Sequence, residues 1–238
     1  AFRSSAIPGG NPTTSFTVLI PSDVVTNDIL ILVAENGGAQ ANPTVTDDDT
    51  GGNTWTLKLS QNNAGDVSNA TLWWKRATSG TAAKTITASG FTNSTAGVLC
   101  VYSGRTTTGD PFNQATAESN AAADESHAQI TTTVDGCDVG LAIGVGDNLT
   151  LSSQTCTNPG ALTERNEKLS TGGLDTAAAI ADAPQTSAAA TGAFTWVQAD
   201  GAGCSFAFAL APIPSAPEEE YWAVKTPFYP EPTVSLYA

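Results

Sequence analysis

Apolar and polar residues alternate along most of this chain in short runs closed by Gly, Pro or Asn, the period of two that a half-buried strand requires. Gly97 to Gly104 is uncharged, carries Val98, Val101 and Tyr102, and has a glycine at each end, so it reads as a buried, central strand. Ser15 to Ile20 alternates and stops at Pro21. Asp28 to Ala34 is nearly continuous apolar, which predicts a strand covered on both faces. Asn53 to Leu59 alternates strictly and places Trp55, Leu57 and Leu59 on one face. Ala70 to Ala77 follows, closed by Ser79-Gly80, with Trp73 and Trp74 directed to opposite faces. One indole belongs in the core, and the other is either covered or a platform for stacking a sugar. Lys84 to Ala88, His127 to Thr133 (Ala128, Ile130 and Thr132 on one side), Asp138 to Val145, Ala161 to Leu169, Thr176 to Ala183, Phe194 to Trp196 and Ser205 to Leu210 complete the set. Ala161 to Leu169 is polar enough for an edge. Cys204, Phe206, Phe208 and Leu210 share a face.

About a dozen short strands at this spacing predict an all-β protein, a jelly-roll-like antiparallel β-sandwich over residues 1–211. No amphipathic helix is visible, although the alanine tracts at 121–123 and 188–190 could form helical turns. Pro212, Pro214 and Pro217 then break the rhythm and favour extended chain, so residues 212–238 are expected to be a linker and an arm. Three of the four tyrosines lie in this last segment, unlike the composition of a disordered tail. Tyr221, Trp222, Phe228, Tyr229, Val234, Leu236 and Tyr237 are the expected partner-binding residues of a docking arm, aromatic anchors being what interfaces favour. Fully extended, residues 218–238 span roughly 70 Å. Thr233 to Tyr237 alternates and could add a strand to a partner's sheet edge.

Charge narrows the partners. The formal net charge is -14, and charged residues are only 13% of the chain, about half the usual share. Such a chain repels nucleic acid and anionic membrane, so neither is an expected partner. No apolar run approaches the roughly 18 residues of a membrane span. The start at Ala1-Phe2-Arg3-Ser4 lacks an apolar stretch, which suggests folding in a cytoplasm unless a leader has been removed.

Chemistry-bearing clusters are few. Cys100 and Cys204 sit in apolar patterns and read as small buried hydrophobes, while Cys137 and Cys156, nearer turns, are either free thiols or a disulfide. With no CxxC pair and one histidine, a zinc site is not expected. Asp47-Asp48-Asp49-Thr50-Gly51-Gly52-Asn53 resembles the start of a calcium loop, but Lys58 stands where an EF-hand closes on an acid, so a solvated turn is the preferred reading. His127 has no nucleophile elbow to serve, and Asp124 and Glu125 beside it read as a solvated bend. No catalytic residue, cofactor or metal is expected. Asn69, Asn93 and Asn148 fit the glycosylation pattern by chance in so Asn/Ser/Thr-rich a chain.

Four segments together resemble a known family: Ile20 to Val33, Thr54 to Leu57, Leu72 to Gly80, and Gly97 to Gly104. Their order and spacing are similar to jelly-roll proteins of tailed-phage virions, in which a P-x-G-V-x-x-G-D-x-L-L-x-x-V opening precedes G-W-T, W-x-x-R-x-A-x-x-G and V-x-Y-x-G strands. Asp23, Asn27 and Asn53 depart from the pattern where it has Gly. The resemblance covers about residues 14–210 and carries no catalytic residues. It implies a structural virion protein, most simply a capsid decoration (cement) protein on the outer capsid surface, made in the host cytoplasm. Its partners would be the major capsid protein and neighbouring copies of itself in a homo-oligomer, trimers being frequent in such proteins. The alternative is a glycan-binding module of a tail fibre or adhesin.

Overall fold

The computed structural model describes residues 1–38, 41–63, 68–121, 125–199 and 201–214. The chain is all-β, with no helix among these residues. Eight strands come first: β1 (Phe2–Ala6), β2 (Ser15–Leu19), β3 (Ile29–Gly37), β4 (Thr44–Asp47), β5 (Thr56–Asn62), β6 (Ser68–Arg76), β7 (Thr85–Ser89) and β8 (Thr95–Tyr102). Eight more follow: β9 (Phe112–Asn120), β10 (Ser126–His127), β11 (Cys137–Val145), β12 (Ser152–Thr155), β13 (Thr163–Ser170), β14 (Thr176–Gln185), β15 (Phe194–Val197) and β16 (Gly203–Leu210).

The first eight form sheets ordered β1-β8-β3-β6-β5 and β2-β7-β4. The second eight form β9-β16-β11-β14-β13 and β10-β15-β12. Adding eight to each strand number of the first half reproduces the second. Each half is thus an antiparallel sandwich of five and three strands with jelly-roll strand order, its fifth strand recruited to the larger sheet. The single sandwich expected over 1–211 did not include this duplication.

The two five-stranded sheets stack on each other. β1 lies over β13, β8 over β14, β3 over β11, β6 over β16 and β5 over β9. Under the same renumbering this contact set maps onto itself, with β3 and β11 on the axis, so the halves meet as the subunits of a two-fold dimer would. Four layers result, with three cores between them. Leu30, Leu32, Leu99, Val101 and Trp55 belong to the outer core of the first half; Val139, Leu141, Ile143, Phe194 and Trp196 belong to that of the second. Ile29, Ile31, Val33, Tyr102, Ile180, Phe206 and Phe208 fill the shared one. Full burial of each such side chain is worth about 1.5–3 kcal/mol. The layering accounts for the unbroken apolar run of β3, which has a core on either face.

Register fixes the equivalences between halves. Each central strand follows a residue in the left-handed region, Asn27 (φ 73°) or Gly136 (φ 74°). Counting from these, Ile31 corresponds to Gly140, Val33 to Ala142 and Glu35 to Gly144. Through the cross-strand pairs Leu30–Lys75 and Val139–Ala183, Lys75 corresponds to Ala183. Arg76 likewise corresponds to Pro184. Gly140 is needed as glycine: a Cβ there would lie 2.2 Å from the Phe208 ring.

Several expectations change. Residues 97–102 of the 97–104 run belong to β8 and are buried, while Ser103 and Gly104 lie beyond it; the strand is second in its sheet, β3 being central. Trp55 precedes β5, and a bulge between Leu57 and Leu59 reverses the alternation, so Trp55 enters the outer core while Leu59 packs on the shared one. From 127 to 133 only Ser126–His127 is strand, and Ala128 is exposed. The 188–190 tract is not helical. The Ala161 to Leu169 region does form an edge strand, β13.

Candidate functional site

The seven residues expected to bind a partner, Tyr221, Trp222, Phe228, Tyr229, Val234, Leu236 and Tyr237, lie outside the described residues. The connection to them begins in view. The Ala211 N–H donates to Pro111 O (2.9 Å) and the Ile213 N–H to Gly104 O (3.3 Å), and Pro212 bridges Arg105. The chain therefore leaves β16 stitched to the 103–111 connection that joins the halves. Arg105 holds the same corner, donating to Gly136 O (3.0 Å) and Leu210 O (3.3 Å) and pairing with Asp138 (3.4 Å).

All four cysteines are free and buried, which resolves the Cys137–Cys156 alternative in favour of thiols. Burial pushes the Cys204 thiol up to about 12, with Glu35 adding to the effect, so it is not a thiolate at neutral pH. His127 is buried. Its Nδ1 lies 2.8 Å from Ala128 O, and its Nε2 accepts the Ala207 N–H at 3.3 Å. Both nitrogens are engaged, which makes His127 a packing residue under Phe194. Glu125 accepts the Gln198 N–H (2.7 Å), while Asp124 lies outside the described residues.

The Asp47–Asn53 loop is a turn exposed at Asp48, Thr50, Gly51 and Asn53, but the carboxyls of Asp47 and Asp49 turn inward onto a lysine. The fully buried Lys75 ammonium reaches Asp47 Oδ2 at 2.7 Å and Asp49 Oδ2 at 3.1 Å, standing where a cation would. Trp55 Nε1 donates to Asp47 (2.8 Å); Thr81 Oγ1 (2.6 Å) and Thr78 Oγ1 (3.2 Å) donate to Asp49. The Thr81 hydroxyl, with Lys75 and Thr78, holds the Asp49 carboxyl below the usual carboxylate range against the opposing effect of burial. A lysine in an apolar strand paired with an acidic turn was the signal available in the sequence.

Beside this cluster the same loops open a groove of about 450 Å³. Asn53, Thr54 and Thr56 form one wall, Thr107, Thr108 and Gly109 the other, and Trp74 and Arg76 from β6 lie between. Trp74 packs edge-to-face on Phe112 (centroids 6.5 Å, 76°), which fixes its ring; Trp73 packs on the other core, its Nε1 donating to Thr71 (3.0 Å). Arg76 is nine-tenths buried. Its guanidinium donates to Thr106 O and to Gly109 O (3.0 Å), and it forms no ion pair among the described residues. Burial lowers its pKa. Asp110, next in sequence to Gly109, is paired with Lys58 at 2.5 Å.

A second polar set crosses the interface between the halves. The Tyr102 hydroxyl donates to Asp182 (2.9 Å), which also accepts two bonds from Arg165 (2.9 and 2.8 Å), and Arg165 covers the Phe2 ring at 4.4 Å. At the axis Glu35 is fully buried, and its carboxyl rests against Gly144, where a Cβ would come within 2.3 Å. Burial drives this carboxyl well above its ordinary range, and the nearby Ser68 hydroxyl and Asn69 backbone offset it only in part. Neither Arg76 nor Glu35 stood out in the sequence. No family model matches this chain, and no curated protein or solved structure matches it either.

Proposed function

We propose that this chain is a structural protein of a tailed-phage particle, a decoration protein that binds the outer capsid surface and attaches through residues 218–238. One observation carries the reading: among the described residues both eight-strand sets are filled by Leu210, and the aromatic, proline-bearing segment follows them in sequence. Aromatic side chains of this kind are what interfaces favour, and prolines at 227, 230 and 232 lower the entropy lost on ordering. The resemblance of about residues 14–210 to virion jelly rolls supports the same role. In this reading the major capsid protein and neighbouring copies are the partners, and the particle surface is the location. The acidic surface disfavours any contact with nucleic acid.

Deletion of 218–238 tests the reading. The shortened protein is expected to keep the melting temperature of the full chain and to be missing from purified particles. Incorporation at normal copy number would refute the arm. A large loss of melting temperature in the isolated protein would show that the segment belongs to its own core.

A further inference from the structure

We propose that the groove around Trp74 and Arg76 is a binding site for a carboxylate-bearing sugar, of the uronic-acid class. This goes beyond the docking role and does not depend on it. Arg76 is a buried charge with no ion-pair partner among the described residues. A buried guanidinium normally has a carboxylate partner, because desolvating a charge without one is costly. Arg76 has two carbonyls instead, which satisfy geometry but not charge. A guanidinium has five N–H donors, and these two bonds leave donors over. A planar carboxylate is the ligand that fits them, at charge-assisted strength.

The surroundings specify a sugar rather than a bare anion. Trp74 lines the groove with its ring held by Phe112, and an aromatic platform beside hydroxyl donors and acceptors suits the apolar face and the hydroxyls of a pyranose. Thr54, Thr56, Thr107 and Thr108 are exposed and line the two walls. The volume lies within the range of small-ligand sites. The net charge of -14 does not forbid an acidic ligand, since physiological salt screens charges beyond about 8 Å and Asp110, Asp47 and Asp49 on the adjoining loops have cationic partners. The second half has Pro184 in place of Arg76, so the equivalent position there lacks the guanidinium.

The test titrates the full chain with trigalacturonate, with the neutral cellotriose and with acetate, read by calorimetry and tryptophan fluorescence. Saturable binding of trigalacturonate, weakened about tenfold or more by Arg76→Gln and by raised salt, is expected, with cellotriose and acetate at least about tenfold weaker. Because Arg76 also braces the 106–109 loop, Thr107→Glu provides a second variant: the residue is exposed, so the fold should persist while the added carboxylate repels the ligand. Equal binding of cellotriose and trigalacturonate would overturn the carboxylate assignment. Acetate binding as tight as trigalacturonate would overturn the sugar. Absence of binding, or binding indifferent to Thr107→Glu, would overturn the site.

Discussion

The two halves share a strand order and build their common core in opposite ways. In the first half the central strand is the bulkier near the axis, Ile31 pairing with Cys100 and Glu35 with Ala96, while Val33 is matched by Val98 and β8 adds Tyr102 opposite Ile29 at the strand end. In the second the central strand is the smaller member of each pair: Gly140 pairs with Phe208, Ala142 with Phe206, Gly144 with Cys204. Each half is the mould of the other. Two identical sheets would have met at the axis as bulk on bulk or gap on gap. The charged ends differ as well. Lys75 and Arg76 serve an acidic loop and a groove in the first half, where the second has Ala183 and Pro184. The pairing surface is shared property, and the polar chemistry at the loop end belongs to the first half alone.

The largest expected effect comes from making the first half imitate the second at its loop end. Lys75→Ala leaves Asp47 and Asp49 buried without their cation and should cost about 3–5 kcal/mol in denaturant unfolding. A loss under about 1 kcal/mol would mean that water replaces the ammonium. Next, Gly140→Ile gives the second half the first half's residue and drives a side chain into the Phe208 ring. The expected loss is about 3 kcal/mol. Adding Phe208→Cys completes the imitation and removes the obstruction, so the double variant should be more stable than the summed singles by at least about 1 kcal/mol. Strict additivity would show that the two positions do not share a space.

The smallest effect is a pH dependence at the axis. Glu35 holds its proton more tightly folded than unfolded, since burial raises its pKa well above 4.5. Its favourable contribution is therefore complete below about pH 4.5 and is lost as pH rises toward the folded value, with a slope of at most about 1.4 kcal/mol per unit. Glu35→Gln should remove that slope from melting temperatures measured across pH and leave the slopes of other groups in place. An unchanged profile would mean that Glu35 is ionised in the folded chain.

Much of the fold was legible because burial on one face imposes period two. β2, β3, β6, β7, β8, β11, β14 and β16 all show it or its doubly covered form. β1, β4, β9 and β12 did not. β9 presents only Phe112, Ala115 and Ala117 to the shared core, too little apolar contrast to mark a strand. The bulge at Leu57–Leu59 is also silent in sequence, because an inserted residue leaves the local pattern intact while reversing faces. The duplication was hidden by the mould relation itself: Ile31 against Gly140 and Cys100 against Phe208 look like unrelated residues until the register equates them. At the candidate site, the Trp73-Trp74 pair was visible as a possible platform. The buried state of Arg76 was not, since an arginine closing a strand is ordinarily solvated.

The connection across residues 103–111 has a consequence for dilution. Two separate subunits meeting through this shared core would dissociate when their concentration fell below the binding constant. Here the partners are ends of one chain, so each meets the other at an effective concentration set by the tether and not by the solution. Unfolding midpoints should therefore be the same in dilute and concentrated samples. The internal pair stays assembled in surroundings where free protomers would be lost to one another.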